Sequence, residues 1–128
     1  NEIRVGKYTS VQDNVVVHVD ADSPASIGNY IRIGHSAVLH GCTVRDYALI
    51  GIGAIVYNGV EVGEGAVVGM GAVVAPGTKV PPASVMLGIP AKPARKVTDE
   101  EKKEFLDGTI RYAQLGQAHR VALISQET

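Results

Sequence analysis

The sequence has no tryptophan, one phenylalanine and one cysteine, and only 5% of its residues are aromatic. A core built on large rings is therefore excluded, although 45% of the residues are hydrophobic. Valine, isoleucine and glycine carry that load, a mixture suited to narrow strands joined by tight corners. Cys42 is alone and cannot form an internal disulfide, which fits a cytoplasmic protein. No run of basic residues could follow a phosphate backbone, and the net charge is −1, so nucleic acid is not expected as a partner. Glycine breaks the longest apolar stretches, so no segment reads as membrane-spanning, and the start lacks the pattern of a secretory leader. The chain opens on Asn1 rather than Met, and its 128 residues suit one domain.

What is present is a repeat. From residue 44 an aliphatic residue recurs every six positions: Val44, Ile50, Val56, Val62, Val68, Val74 and Val80. Four positions after each stands a small or β-branched residue: Ala48, Ala54, Val60, Ala66, Ala72, Thr78 and Ser84. The phase extends backward through Leu39, Ile33 and Ile27, then through Val17, Val11 and Val5. Four extra residues between Val17 and Ile27, in the stretch from Asp20 to Pro24, read as a loop pushed out of a corner. One residue is missing between Leu39 and Val44, which reads as a tightened corner.

A period of six belongs to neither a lone strand nor a helix. It describes a short strand plus a corner, and three such units make a triangular coil of about eighteen residues. The aliphatic residue and its partner point inward, and each coil buries that face by stacking on the next at about 4.8 Å. Thirteen units start between Val5 and Val80, which predicts roughly four coils. Pro81 and Pro82 end the repeat in this reading, because prolines deny ladder donors. Thr98 and Glu101 then have capping-box form and predict a helix over about residues 99–121, with Leu106, Ile110 and Ala113 facing the coil. Gly108 and Gly116 weaken that helix, and the residues from about Ser125 are expected to fray. The expected organisation is a β-helix over 1–86, a connecting loop over 87–97, and a helix and tail over 98–128, packed as one unit.

Of four histidines, the repeat frame gives meaning to three. His18 follows the inward Val17, and His40 follows the inward Leu39, one full coil later. Their side chains should stack on adjacent coils and converge on one metal ion, at about 2.0–2.1 Å for zinc. His35 stands one unit before His40 and should point elsewhere within one chain. In a trimer, where one chain's face meets another's corner, it could complete the site. Three histidines leave a position open for water, the pattern of catalytic zinc. Gln12 and Asp13 should line the same interface, since Asp13 precedes His35 by one coil at the same place in its unit. A lone outward histidine is ordinarily solvated surface; two in stacked register with a third nearby favour a metal. His119, near the expected helix end, reads as structural, favoured there by the helix dipole.

Three segments carry a resemblance: Val11-Gln12-Asp13-Asn14-Val15-Val16-Val17-His18, Ile33-Gly34-His35-Ser36-Ala37-Val38-Leu39-His40-Gly41-Cys42, and Leu49-Ile50-Gly51-Ile52-Gly53-Ala54. Together they resemble the gamma-class carbonic anhydrase family over nearly the whole chain. The resemblance implies a left-handed parallel β-helix with a C-terminal α-helix, assembled as a homotrimer with metal at the interfaces. It implies His18, His35 and His40 as metal ligands, Gln12 beside the metal-bound water, Asp13 at the interface, and Tyr112 as the helix tyrosine that approaches the site. The implied reaction is reversible hydration of CO2 to bicarbonate by a metal-bound hydroxide. Zn2+ is the first expectation for the metal, with Co2+ or Fe2+ as substitutes that a three-histidine site accepts. The family's Arg-Gly-Asp segment, upstream of its first ligand, would fall before Asn1. The loop after the first ligand is short here, with Asp20 and Asp22 as its only acids. Two other readings remain open: a hexapeptide-repeat acyltransferase or thioesterase-like protein, and an inactive metal-binding scaffold subunit.

Overall fold

Short inward-facing hexads cannot bury themselves, so the chain winds and stacks. The computed structural model describes residues 1–126. One face of the coil stacks β1 (Ile3–Val5), β4 (Ala25–Ile27), β7 (Thr43–Val44), β10 (Glu61–Val62) and β13 (Lys79–Val80). The second stacks β2 (Ser10–Val11), β5 (Arg32–Ile33), β8 (Leu49–Ile50), β11 (Val67–Val68) and β14 (Ser84–Gly88). The third stacks β3 (Val16–His18), β6 (Val38–His40), β9 (Ile55–Val56) and β12 (Val73–Val74). All these neighbours are parallel, so the fold is a β-solenoid of nearly five turns rather than the four expected.

The extra strand is β14. Met86 stands six residues after Val80 and is buried in the same core cluster as the hexad residues. Pro81 and Pro82 do not stop the repeat, for a simple reason. At the place Pro81 takes in its unit the N–H donates to the next coil, as from Arg45 to Val62 at 2.9 Å and from Gly63 to Val80 at 3.0 Å. Pro81 and Pro82 lie in the last coil, where no further coil would accept such a bond. The expected loop over 87–97 is likewise corrected, since Ala91–Lys96 forms β15 and pairs antiparallel with β14.

The inward residues from Ile27 to Val80 are buried, together with Ala48, Ala54, Val60, Ala66 and Ala72 four positions after their partners. Val5 and Val11 occupy the same inward register but are about half exposed, because theirs is the outermost coil of the described residues. The Asp20–Pro24 loop is confirmed and is closed by a bridge between Asp20 and Ser23. The tightened corner is Gly41, at φ +56°.

Gly34, Gly51 and Gly69 mark one line where adjacent coils approach closely. A Cβ on Gly51 would lie 2.6 Å from the carbonyl carbon of Gly69. Gly51→Ala is therefore expected to cost about 1–3 kcal/mol by overpacking, read as a lower urea midpoint.

Helix α1 (Asp99–Gln126) opens on the predicted box: the Glu101 N–H donates to Thr98 Oγ1 at 3.1 Å and the Thr98 N–H to Glu101 Oε2 at 2.9 Å. Leu106, Ile110 and Ala113 are half-buried against the coil, as expected. Gly108 and Thr109 are the most buried helix residues. Gly108 serves contact rather than weakness, since a Cβ there would press on the Arg32 guanidinium. The helix passes residue 121 and runs to Gln126, so Ser125 is helical; Glu127 and Thr128, also expected to fray, lie outside the described residues. His119 consequently sits inside the helix and not at its C-terminal turn. Among the described residues no helix is long and apolar enough to cross a membrane.

Glu101 also accepts two hydrogen bonds from Arg95, at 2.8 and 2.7 Å. Those bonds, then the one from the Thr98 N–H, hold its carboxyl down from 4.5 to about 2. A carboxyl depressed in the folded state contributes stability that is complete above its unfolded value and lost as pH falls through the folded one. Helix docking should therefore weaken as pH drops from about 4.5 toward 2. Glu101→Gln should remove that acid-dependent component from a circular dichroism titration.

Candidate metal centre

The corner between the third face and the first carries the histidine pair. β3 and β6 pair with His18 directly opposite His40, and both point outward because each follows an inward residue. Their ring centroids are 4.9 Å apart, and His18 Nδ1 lies 2.9 Å from His40 Nε2. The loop after β3 returns Asp20 to the pair, with Oδ1 3.9 Å from His40 Nε2. Tyr57, in the next coil, covers His40 with its ring centroid at 4.9 Å. The other His40 nitrogen, Nδ1, is 2.7 Å from Asn58 Oδ1, and Asn58 Nδ2 donates to Asp20 Oδ2 at 2.7 Å.

Two imidazoles and a carboxylate are a donor set for zinc and similar divalent ions. One ligand atom each from His18, Asp20 and His40 lies within 4.8 Å of the others. His40 has the further mark of a metal-binding imidazole, a hydrogen-bond partner on its outer nitrogen. The residues present thus fit a metal. Cys42, beside this corner, is not a competitor. Burial pushes its thiol up to about 11, so it stays protonated at neutral pH.

The other predicted residues stand apart from the pair. Asp13 and His35 occupy the corner between the second and third faces and stack there: the Ser36 N–H donates to the Asp13 carbonyl at 3.0 Å and the Gly53 N–H to the His35 carbonyl at 2.9 Å. Both side chains are exposed, and the width of the third face separates them from His18 and His40. Gln12 is half-buried beside Asp13, its N–H donating to the Ile33 carbonyl at 3.1 Å. Tyr112 lies on α1 beside Tyr8, Ser10 and Val11, where it lines a shallow cavity. A separate cavity of about 630 Å3 lies between α1 and the coil, walled by Tyr47, Pro82, Phe105 and Leu106, and no histidine lines it. One chain thus joins His18 to His40 and leaves His35 on a different corner.

Residues 41–76 match the family described as bacterial transferase hexapeptide (six repeats). A probable carbonic anhydrase of Methanocaldococcus jannaschii is 45% identical over 117 residues, covering 91% of this chain and 74% of that protein. The chain belongs to the gamma carbonic anhydrase family. A mitochondrial gamma carbonic anhydrase (number 3) of Arabidopsis thaliana is 52% identical over 125 residues, 93% of this chain. The chain spans about half, 48%, of that plant relative's length. Among solved structures, a putative acetyltransferase of Bacillus cereus aligns with a TM-score of 0.88 at 35% identity, over 90% of this chain and 67% of that one. The fold is thus shared with proteins named for acyl transfer.

Sequence reasoning missed the roles of Tyr57 and Asn58 and named Asp20 only as a loop acid. A signal for the first two existed. β6 pairs with β9 so that Leu39 faces Val56, which puts Tyr57 in register with His40 and Asn58 at the corner above it. No comparable signal marked Asp20, because the path of its loop is not set by the repeat.

Proposed function

We propose that the chain catalyses the reversible hydration of CO2 to bicarbonate as a homotrimer. In this reading zinc, or cobalt or ferrous iron, is held by His18 and His40 of one subunit and His35 of the next. The observation that carries it is the stacked pair, His18 Nδ1 and His40 Nε2 at 2.9 Å, on an exposed corner of a chain of this family. A divalent metal supplies a nucleophile at neutral pH by lowering the pKa of its water, to about 7 in carbonic anhydrase, the reference case for that effect.

The chain's own residues do the rest. His18 and His40 point a nitrogen each to one spot, and the ladder beneath them fixes their spacing. The Gln12 carboxamide orients CO2 by a hydrogen bond, which raises the fraction of productive encounters. Asp13, stacked beside His35, holds the subunit interface. Tyr112 stands against Val11, one residue before Gln12, from where its hydroxyl approaches the same interface. A reducing compartment such as the cytoplasm suits the single buried thiol of Cys42.

The test is stopped-flow CO2 hydration by the zinc- or cobalt-loaded chain, with sedimentation to establish the assembly. The expectation is activity that tracks metal occupancy in a trimer. Full activity from a monomer would remove the shared site. The name of the Bacillus cereus structure supports a second reading, acyl transfer. Coenzyme A binding by metal-free protein, without CO2 hydration by the loaded one, would put that reading first.

A further inference from the structure

Three hydrogen bonds around His40 run in a line and share a direction. A carboxamide has one end that donates and one that accepts, while a carboxylate only accepts. Asp20 Oδ2 must therefore face the amide nitrogen of Asn58, at 2.7 Å. That turns Asn58 Oδ1 toward His40 Nδ1, also at 2.7 Å. A carbonyl oxygen cannot donate, so Nδ1 carries the hydrogen. Neutral imidazole has one N–H, which leaves His40 Nε2 bare. His18 Nδ1 then donates into that lone pair at 2.9 Å. The Asp20 carboxylate thereby sets the direction of every bond from Asn58 through His40 to His18.

The backbone is shaped for this reach. Asn58 belongs to the coil above His40, and Gly41 lies between them at φ +56°. A Cβ on Gly41 would overlap Asn58 Oδ1 and crowd Ser23 in the Asp20 loop. The missing residue at this corner and the absent side chain together let the carboxamide descend onto Nδ1.

We propose that Asn58 is a positioning residue which, anchored by Asp20, locks His40 in the Nδ1–H tautomer and aims its Nε2 lone pair at the metal position. The consequence for metal rests on the function proposed above; the tautomer itself does not. Orienting partners of this kind contribute about 10–100-fold to metal affinity.

The experiment uses the full chain. With 15N-labelled histidine and no metal, at mildly alkaline pH, two-bond 1H–15N spectra report the His40 tautomer. Wild type should show Nδ1–H. Asn58→Leu should move His40 toward Nε2–H, while Asn58→Asp, which keeps an acceptor beside Nδ1, should retain the wild-type form. Gly41→Ala, which displaces the carboxamide without removing a polar group, should act like Asn58→Leu. Zinc affinity by chelator competition should fall about 10–100-fold in Asn58→Leu and recover toward wild type in Asn58→Asp. Nε2–H in the wild type, or an unchanged tautomer in Asn58→Leu, overturns the lock. Equal zinc affinity in wild type and Asn58→Leu overturns its link to the metal. A wild type that shows the Nδ1–H form yet binds no zinc upholds the lock and counts against the function proposed above.

Discussion

His40→Ala is expected to weaken zinc binding by about a hundredfold or more, the largest functional effect of any single change here. Zinc bound by four ligands in small proteins is worth about 10–16 kcal/mol, so one ligand accounts for roughly 3 kcal/mol. His40 is also the residue on which the corner converges. Its Nδ1 meets Asn58, its Nε2 meets His18, and Tyr57 lies over its ring. Removing it takes away one ligand and the hydrogen-bond partner of another. His40 is partly exposed and lies outside the core, so the circular dichroism spectrum should be unchanged. His35→Ala should also weaken zinc binding if a partner subunit completes the site, while leaving the His18–His40 geometry intact. Full zinc occupancy in His40→Ala would sink the site model.

Ile50→Ala is expected to cost about 3–4 kcal/mol of stability, the largest effect on folding. Ile50 is fully buried in β8, with Ile33 in register below it and Val68 above. In a stacked solenoid, stability is the sum of each repeat and its contacts with immediate neighbours. A cavity at Ile50 therefore weakens two coil–coil interfaces at once. The same truncation at Val11, half exposed in the outermost coil, should cost far less. Urea unfolding reads both, with the midpoint shifting and the slope preserved if the chain still unfolds as one unit. A change below about 1 kcal/mol for Ile50→Ala would show that stacking is not what holds the coil together.

The inward hexad positions, the stacking of His18 on His40 and the Thr98–Glu101 cap were all legible because each depends on spacing alone. Inward and outward alternate along a strand, and a period of six carries that alternation unchanged from coil to coil. Met86 obeyed the same rule and was passed over because Pro81 and Pro82 look like breakers. They are tolerated because the last coil has none above it to bond. β15 was unreadable for another reason. Ala91–Lys96 contains Pro93 and no alternating pattern, and it is a strand only because β14 offers an edge to pair with.

The six-residue period by itself determined the coil, its core and the stacked histidine pair, since translation along a regular ladder follows from residue count. The surroundings of that pair were decided only by the tertiary structure. The loop from residue 19 to 24 brings Asp20 back to a corner it left two residues earlier, and Gly41 lets Asn58 reach down from the next coil. Corners and loops are placed by hydrogen bonds between coils, which join residues as far apart as Asp20 and Asn58. Periodicity along the chain carries no record of such contacts. The direction of the bonds around His40 is a property of that assembled corner.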